Sequence, residues 1–329
     1  MKKKVTINQV AEQAGVSKTT ISRYLNGHYG NMSHETKERV AAVIKALNYR
    51  PNRQAQALKS KRSYLIGVVV ADISNMYSSL LLKGIGEVLG EQGYQMIIMD
   101  AANSVEQEHD LLEKLMDQSV EAIILQPSSR DSRHYEFLKE RNIPLLLVDR
   151  QTSPVLWPAV ITDNVSAINK IMKVIIKENY QKIVVVSEPL HEATTREIRY
   201  ETVKTLADEA GMETELLETT LEDKLDQRIR RQIMQPKKTM LFASNGRVLM
   251  ALLTFLVEEK IDIPKAVGVT GFDDWNLTAL VGPGITSIEQ QSQTIGQTAA
   301  EQILQLLQDE ESVADEIIVP TKLCWRKSI

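Results

Sequence analysis

Residues 5–26 read V-T-I-N-Q-V-A-E-Q-A-G-V-S-K-T-T-I-S-R-Y-L-N, and their spacing predicts two short helices joined by a tight turn. Thr6 can cap the first helix, with Gln9 three residues on to complete a capping box. Val10, Ala11 and Ala14 form its inner face. Gly15 suits the left-handed residue that follows a helix, and Val16 can fill the gap between the two helices. Ser17 caps the second helix, whose inner face is Ile21 and Leu25, four residues apart. Lys18, Thr19, Ser22 and Arg23 are then left on its outer face, near the N-terminal end. A recognition helix presents its base-reading side chains there. The pattern reads as a DNA-binding helix-turn-helix; the competing reading is a helical hairpin with an ordinary polar face.

Charge favours the first reading. Residues 1–62 hold thirteen Lys and Arg against Glu12, Glu35 and Glu38, a formal charge of +10. The whole chain is −4, which leaves −14 on residues 63–329. A basic head on an acidic body is the pattern of a nucleic-acid module joined to something else. The whole-chain charge hides this, because a polyanion meets only the head.

Composition sets limits on the rest. The chain has 329 residues, 43% of them hydrophobic, enough for more than one core. No run approaches the ~18 apolar residues of a membrane span. Met1-Lys2-Lys3-Lys4 is followed by a stretch containing Thr, Asn, Gln and Glu with no apolar h-region, unlike a signal peptide. The single cysteine, Cys324, cannot form an internal disulfide, which fits a reducing cytoplasm; it reads as a small packed residue rather than a nucleophile. His28, His34, His109, His134 and His191 are scattered without metal-ligand spacing.

Ser33 can cap a third helix with Val40, Ile44 and Leu47 on one face, ended by Tyr49-Arg50-Pro51. Asn52–Ser60 is helix-prone but short, and isolated helices under ~12–15 residues are marginal. It reads as a linker that orders only when docked. From Tyr64 short apolar runs alternate with amphipathic stretches. Strand-like runs are Leu65–Ala71, Gln95–Asp100, Ala122–Gln126, Pro144–Asp149, Lys182–Ser187, Thr239–Ser244 and Ala266–Phe272. Helical stretches include 76–92, 104–118, 131–141, 165–179, 196–210, 222–234 and 247–260. This alternation predicts parallel sheets covered on both faces. Six or more such units exceed one ordinary domain, so two doubly wound subdomains are expected, with ligands at the carboxyl ends of the strands.

Other motifs are weaker. Gly84-x-Gly86-x-x-x-Gly90 has the wrong spacing for a dinucleotide fingerprint and falls inside a helical stretch; close helix packing is the better reading. Asp273-Asp274 can be read as a catalytic or metal pair, but after the Gly271-Phe272 strand end a binding carboxylate on a loop is favoured. No Ser/His/Asp order, phosphate loop or metal cluster stands out.

These residues resemble the LacI/GalR transcription regulators over nearly the whole chain. The matches are residues 5–26, then L-N-Y-R-P-N-R-Q-A-Q-A-L at 47–58 and L-I-G-V-V-V-A-D-I-S-N at 65–75. V-D-R at 148–150, T-D-N at 162–164 and V-G-V-T-G-F-D-D at 267–274 follow in the family's order. The wording of 65–100 is also similar to Gram-positive regulators of 2-keto-3-deoxygluconate use. The resemblance implies an all-α headpiece over 1–50, a hinge helix and linker over 51–63, and an α/β core over 64–329. That core is like periplasmic sugar-binding proteins, with two Rossmann-like subdomains. The N-subdomain covers about 64–163 and 292–321, the C-subdomain about 164–291 and 322–329, with chain crossings near 163, 291 and 321.

The resemblance also implies roles. Lys18, Thr19 and Arg23 match base readers; Thr6, Ser17, Thr20, Ser22 and Asn26 match phosphate contacts. The chemistry agrees, since an arginine fork recognises guanine and a threonine methyl can touch thymine. Asn52, Arg53, Ala55 and Leu58 fall in the hinge, and Leu58 matches the leucine that wedges into the minor groove; the alternative is that Leu58 packs on the core. Arg196, Asn245 and Asp273 match the effector-binding residues of R-x-x-G-[FY], A-N-D and G-[FY]-D-D. Tyr77 falls where an aromatic follows N-P, and Asp149 ends a strand facing the same cleft. The chain departs from these motifs at Met76, Arg199, Gly246 and Arg247. Arg199 and Arg247 add guanidinium groups and Gly246 removes a carboxylate, which favours a small sugar acid over a neutral sugar. The alternative places Arg199 and Arg247 on solvent-facing helix surfaces, paired with Glu197, Glu201 or Glu259.

Double-stranded palindromic DNA, a sugar-type effector and a second copy of the chain are the implied partners, with no cofactor and no membrane. Without trailing leucine heptads after Trp325, a homodimer is expected rather than a tetramer. The competing functions are a sugar-processing enzyme on the same core and a solute-binding receptor.

Overall fold

Caps set the ends of the first three helices. The computed structural model describes residues 5–30, 32–50, 62–220, 225–308 and 314–329, in two compact units over 1–63 and 64–329. In the first unit α1 spans Ile7–Ala14, α2 Lys18–Leu25 and α3 His34–Ala46. Thr6 Oγ accepts from the Gln9 N–H, and Gln9 Oε1 accepts from the Thr6 N–H at 2.8 Å, a complete capping box. Gly15 ends α1 in the left-handed conformation at φ 62°. Ser17 and Ser33 cap α2 and α3 through the N–H groups of Thr20 and Thr36. Val10, Ala11, Ala14, Ile21 and Val40 are buried together, with Val16, Leu25, Ile44 and Leu47 packed against them. Arg39 Nε donates to the Ala14 carbonyl at 3.0 Å and ties α3 to the end of α1. The third helix stops at Ala46, earlier than the Pro51 signal suggests. Asn48 turns left-handed at φ 45°, and its N–H returns to the Lys45 carbonyl. The hinge positions Asn52, Arg53, Ala55 and Leu58 lie outside the described residues.

The second unit holds two parallel sheets. The first has strands β1 Leu65–Val70, β2 Gln95–Asp100, β3 Ala122–Leu125, β4 Leu145–Val148 and β5 Ala159–Thr162, with helices α4 Met76–Glu91, α5 Val105–Asp117 and α6 Glu136–Glu140 between them. The second follows helix α7 Asn164–Lys177 and holds β6 Lys182–Ser187, β7 Glu213–Glu218, β8 Thr239–Ala243 and β9 Gly268–Gly271. Helices α8 Thr194–Glu209, α9 Leu225–Ile233 and α10 Gly246–Glu258 connect these strands. The chain then runs through β10 Ser287–Glu289, α11 Ser292–Leu306, β11 Glu316–Val319 and β12 Lys322–Cys324. Strand β11 joins the edge of the first sheet, whose order is β11-β5-β4-β3-β1-β2; the second sheet is β7-β6-β8-β9, and β10 pairs antiparallel with β12. The chain therefore passes between the sheets after Thr162, between Glu289 and Ser292, and between Val319 and Lys322.

Residue alternation explains the double burial. On β6, Ile183 and Val185 pack with α7 and α8, while Val184 and Val186 pack with α10. On β1, Ile66 and Val68 face α4 and α11, and Val69 faces α5. Continuous apolar strands are what such two-sided burial requires. Strands β5, β7, β10, β11 and β12 and helix α11 were not among the expected elements. Strand β7 is an edge strand of sequence E-T-E-L-L-E, whose Glu213 and Glu215 accept from the buried Lys182 ammonium. Its charge concealed it.

Of the three glycines of α4, only Gly84 permits close helix packing; a Cβ at Gly86 would meet the Met96 side chain. A Cβ at Gly84 would lie 2.0 Å from the Gln293 carbonyl oxygen, and one at Gly296 would lie 2.2 Å from that of Leu81. Backbone meets backbone where α4 crosses α11. Gly90 faces open solvent. Gly84→Ala is expected to lower stability by about 1–3 kcal/mol or more through overpacking. Gly90→Ala is expected to raise it by about 0.5–1 kcal/mol by removing helix-interior backbone entropy. Urea denaturation of the two variants, read for opposite shifts in midpoint, checks both.

Candidate functional site

The head presents one exposed polar surface along α2. Lys18, Thr19 and Arg23 are exposed, Ser22 is half-buried, and Asn26 lies exposed at the helix end. Thr6 and Ser17 are engaged as caps, and Ser17 Oγ and Thr20 Oγ1 lie 2.9 Å apart. Such hydroxyls sit at helix N-termini, where the dipole and free N–H groups favour phosphate. Ile21 is fully buried beneath this face, so α2 is anchored by one side and offers the other.

The second site is a cleft between the two sheets of the core. Its groups stand at strand carboxyl ends: Asp72 after β1, Gln126 after β3, Asp149 and Arg150 after β4, Glu188 after β6, Asn245 after β8 and Asp273 after β9. Tyr77 enters from the first turn of α4, where Asn75 caps the helix by accepting from the Tyr77 N–H at 3.0 Å. Arg196 and Arg199 come from α8, and Arg247 from the start of α10. Asp149 and Asp273 both hold left-handed backbone, at φ 65° and 71°. Strained backbone of this kind collects where side chains must be aimed. All six expected effector-site residues, Tyr77, Asp149, Arg196, Asn245, Arg247 and Asp273, line this cavity of about 40 Å³. That volume holds a few waters.

The charged groups are tightly paired. Arg196 donates to Glu188 and Glu192, each at 2.8 Å, and to the Pro189 carbonyl at 3.1 Å. Arg247 pairs with Asp72 on the opposite wall and donates to Glu188 at 2.7 Å. Asn245 Nδ2 donates to Glu188 at 2.6 Å, while its Oδ1 caps α10 at the Val248 N–H. Gln126 Nε2 donates to Asp149 at 2.8 Å. An Arg130–Glu197 pair and hydrogen bonds between Gln151 and Thr194 also join the two walls.

Arg199 departs from the solvent-facing alternative and adds its guanidinium to the cleft lining. It neither faces solvent nor stands free as a clamp. Its guanidinium is buried, 3.6 Å above the Phe272 ring centroid. It donates to Asn164 at 2.8 Å, the Ser244 carbonyl at 2.6 Å and Gln290 at 2.9 Å. Gln290 accepts also from Thr162 and donates to Asp273 at 2.7 Å. Arg199 thus ties two of the inter-sheet crossings to the cleft floor. Arg247 likewise pairs with Asp72 and Glu188, and Glu197 and Glu259 take other arginines, Arg130 and Arg230.

Burial dominates the proton affinities here. It pushes the Asp273 carboxyl up, against the opposing pull of Arg199, Gln290 and the Gly246 N–H. Burial lowers the guanidiniums of Arg199 and Arg150. It raises the Tyr77 phenol well above its usual range, helped by the charges of Asp149 and Asp273. Tyr77 therefore stays a neutral donor beside Asp149, and among the described residues Arg247 Nε is buried without a hydrogen-bond partner. For Asp72 burial acts upward, but Ser74 and Arg247 together hold the carboxyl below its usual range. Burial and nearby carboxylates push the Cys324 thiol up to about 11, with a hydrogen bond to Glu289. Such a thiol is a poor nucleophile at neutral pH.

Sequence reasoning did not assign Asp72, Gln126, Arg150, Glu188 and Gln290 to the site. The first four immediately follow or close an expected strand, so the rule that ligands sit at strand carboxyl ends would have found them. Gln290 follows β10, a three-residue strand with no apolar run to announce it. Among the described residues no helix is long and apolar enough to cross a membrane, and no cluster of three or more His, Cys, Asp or Glu is placed to hold a metal ion.

An exposed polar face on a helix-turn-helix head and a polar cleft in an α/β core are the parts of a ligand-responsive DNA-binding transcription regulator. Comparison with known proteins agrees. Residues 6–52 match the model of bacterial regulatory proteins of the lacI family, and residues 173–329 match a periplasmic binding protein-like domain. The chain is 34% identical to the HTH-type transcriptional regulator KdgR of Bacillus subtilis (strain 168), over 100% of both chains. It is 32% identical to the HTH-type transcriptional regulator PtxS of Pseudomonas putida, over 99% of this chain and 96% of the relative. A crystal structure of the Lac repressor dimer bound to operator and the anti-inducer ONPF superposes with a TM-score of 0.88 at 23% identity, covering 99% of each chain. A LacI transcriptional regulator from Lactobacillus brevis superposes at 0.72 with 28% identity, over 79% of this chain and 100% of that one. The chain belongs to the lacI family of bacterial regulatory proteins.

The two aspartates of the G-F-D-D motif divide their work. Asp273 faces the cleft; Asp274 is buried and accepts from Arg326, Thr278, Ser287 and the Asn276 N–H. Burial acts to raise the Asp274 carboxyl, but these donors together hold it far below its usual range. A carboxyl with a lowered folded pKa stabilises the fold above its unfolded value of about 3.9 and loses that contribution as pH falls through the folded value. Asp274→Asn is therefore expected to cost about 3 kcal/mol at pH 7. The difference from wild type should narrow only in strongly acid solution, which thermal unfolding across pH checks.

Proposed function

We propose that the chain represses carbohydrate or sugar-acid catabolism genes, and that a small sugar acid in the cleft controls its hold on a palindromic operator. The roles follow the family motifs that these residues match. Lys18, Thr19 and Arg23 read base edges from the exposed face of α2; Thr6, Ser17, Thr20, Ser22 and Asn26 contact phosphates around it. Asn52, Arg53 and Ala55 belong to the hinge, and Leu58 is its minor-groove wedge. One headpiece reads few bases, so two copies on paired half-sites supply specificity, and the chain works as a homodimer in the cytoplasm. Residues 64–329 carry effector binding and dimerisation.

The anionic effector rests on one observation. Two guanidiniums and an amide, from Arg196, Arg247 and Asn245, converge on a single carboxylate, that of Glu188. A seat that holds one carboxylate with this geometry can hold another. The neutral Tyr77 Oη and the Arg247 Nε, which has no partner among the described residues, add donors for a ligand's oxygens, and Asp149 and Asp273 accept its hydroxyl hydrogens. Tyr77 closes the wall beside them. The 2-keto-3-deoxygluconate class fits this description, as does the likeness to KdgR. A neutral sugar is the second reading, because the lining balances four arginines (Arg150, Arg196, Arg199 and Arg247) against Asp72, Asp149, Glu188 and Asp273.

Titration calorimetry with 2-keto-3-deoxygluconate, glucuronate and glucose decides between them. The acids are expected to bind, and Arg247→Ala to weaken them by about tenfold or more, since a hydrogen bond to a charged group contributes about 1.5–3 kcal/mol. Tight binding of glucose, unaffected by Arg247→Ala and with no response to either acid, contradicts the anionic effector. For the head, Arg23→Ala is expected to relax base preference at one position per half-site, with about 1–3 kcal/mol of discrimination lost. Selection of bound sequences from a randomised half-site reads this directly; an unchanged consensus counts against the role.

A further inference from the structure

We propose that Glu188 is a built-in occupant of the effector's carboxylate seat, and that a sugar acid binds by displacing it. This rests on the anionic reading of the same cleft and adds how that preference is enforced.

Three donors from separate positions meet the Glu188 carboxylate. Oε2 accepts from Arg196 Nη2 at 2.8 Å and Asn245 Nδ2 at 2.6 Å, and Oε1 accepts from Arg247 Nη2 at 2.7 Å. The residue is 8% exposed. It is thus held as a bound carboxylate would be, by residues aligned with the family's ligand-binding motifs.

Charge balance selects exchange over addition. The cavity is lined by four arginines and four carboxylates. A ligand carboxylate added to this set would stand uncompensated among side chains that are mostly buried, and burying an unpaired charge is unfavourable. Exchanging it for Glu188 leaves the balance unchanged. The space agrees with this, because about 40 Å³ does not admit a sugar unless side chains move.

The surrounding bonds allow that exchange. When Glu188 swings out, Arg196 keeps Glu192 and the Pro189 carbonyl, and Arg247 keeps Asp72. Both guanidiniums stay aimed at the seat. Glu188 itself stands on a loop, one residue past the end of β6 and directly before Pro189 and the short 3-10 turn Leu190–Glu192. Its departure therefore does not break the sheet. A neutral sugar offers the arginines no charge in return, so Glu188 keeps its place against it. The residue then acts as a filter: ligands carrying a carboxylate compete with it, and neutral ligands do not.

The test compares full-length wild type with Glu188→Gln and Glu188→Asp by titration calorimetry. The probes are 2-keto-3-deoxygluconate and glucuronate, with glucose as the neutral partner that differs from glucuronate only at the carboxylate. Removing the competitor in Glu188→Gln is expected to tighten both acids by about tenfold or more while leaving glucose unchanged. Glu188→Asp keeps the charge but shortens its reach, and is expected to tighten the acids by a smaller factor. It carries the test if the glutamine variant does not fold. Acid binding that is unchanged or weaker in the folded variants overturns displacement while leaving the anionic reading intact. Binding of glucose alone, or of no acid by any of the three proteins, overturns the anionic reading and displacement together.

Discussion

A buried arginine at the chain crossings is the constraint on which the core depends. Arg199 is 3% exposed, so its donors need protein partners, and they find them in Asn164, the Ser244 carbonyl and Gln290. These three groups belong to different parts of the chain: the first crossing, the end of β8 and the second crossing. Breaking a buried charge from its partners costs several kcal/mol, so the crossings and the cleft floor are held in one arrangement. Phe272 covers the guanidinium face at 3.6 Å, and the next residue is Asp273. The geometry of the cleft is therefore set from beneath by a residue that the family motif leaves as glycine.

Above that floor the walls are joined by charge rather than by apolar packing. Asp72–Arg247 and Arg130–Glu197 connect the two halves directly. Ion pairs at a partly solvated cleft are individually weak and rearrange readily, whereas the apolar cores of each half do not. The core thus has separate apolar clusters around its two sheets, with an exchangeable set of polar contacts between them. A ligand that alters those contacts biases the relation of the halves, and a bias of this kind is the physical content of allosteric control.

Much of this was legible in the sequence, and the parts that were not share a cause. Caps and periodicity expose the head because Thr6, Gln9, Gly15 and Ser17 act over three or four residues, a range that sequence patterns capture. Runs such as Leu65–Ala71 and Lys182–Ser187 expose the central strands because those strands are buried on both faces. Edge strands such as Glu213–Glu218 carry charge on one side and lose that signature. Arg196, Asn245, Asp273, Tyr77 and Asp149 were reached through motif positions, and they line one cavity. The partners of Arg199 were not legible, because helix position does not reveal what a side chain meets 91 residues away at Gln290. Glu188 was missed because a glutamate after a strand reads as a solvated loop residue; its place at a strand's carboxyl end was the signal, and the convergence of three donors gives it its meaning.

The central claim is that the cleft and the operator-binding surface are coupled through one equilibrium. Coupling between two binding sites is reciprocal, so it appears in the ligand's own affinity. The direct measurement is the dissociation constant of 2-keto-3-deoxygluconate for the free protein and for the protein saturated with its selected palindromic operator. The account predicts that the two constants differ by about fivefold or more, matching the factor by which the acid changes operator affinity. Equal constants in the two states, with both ligands bound, would contradict it.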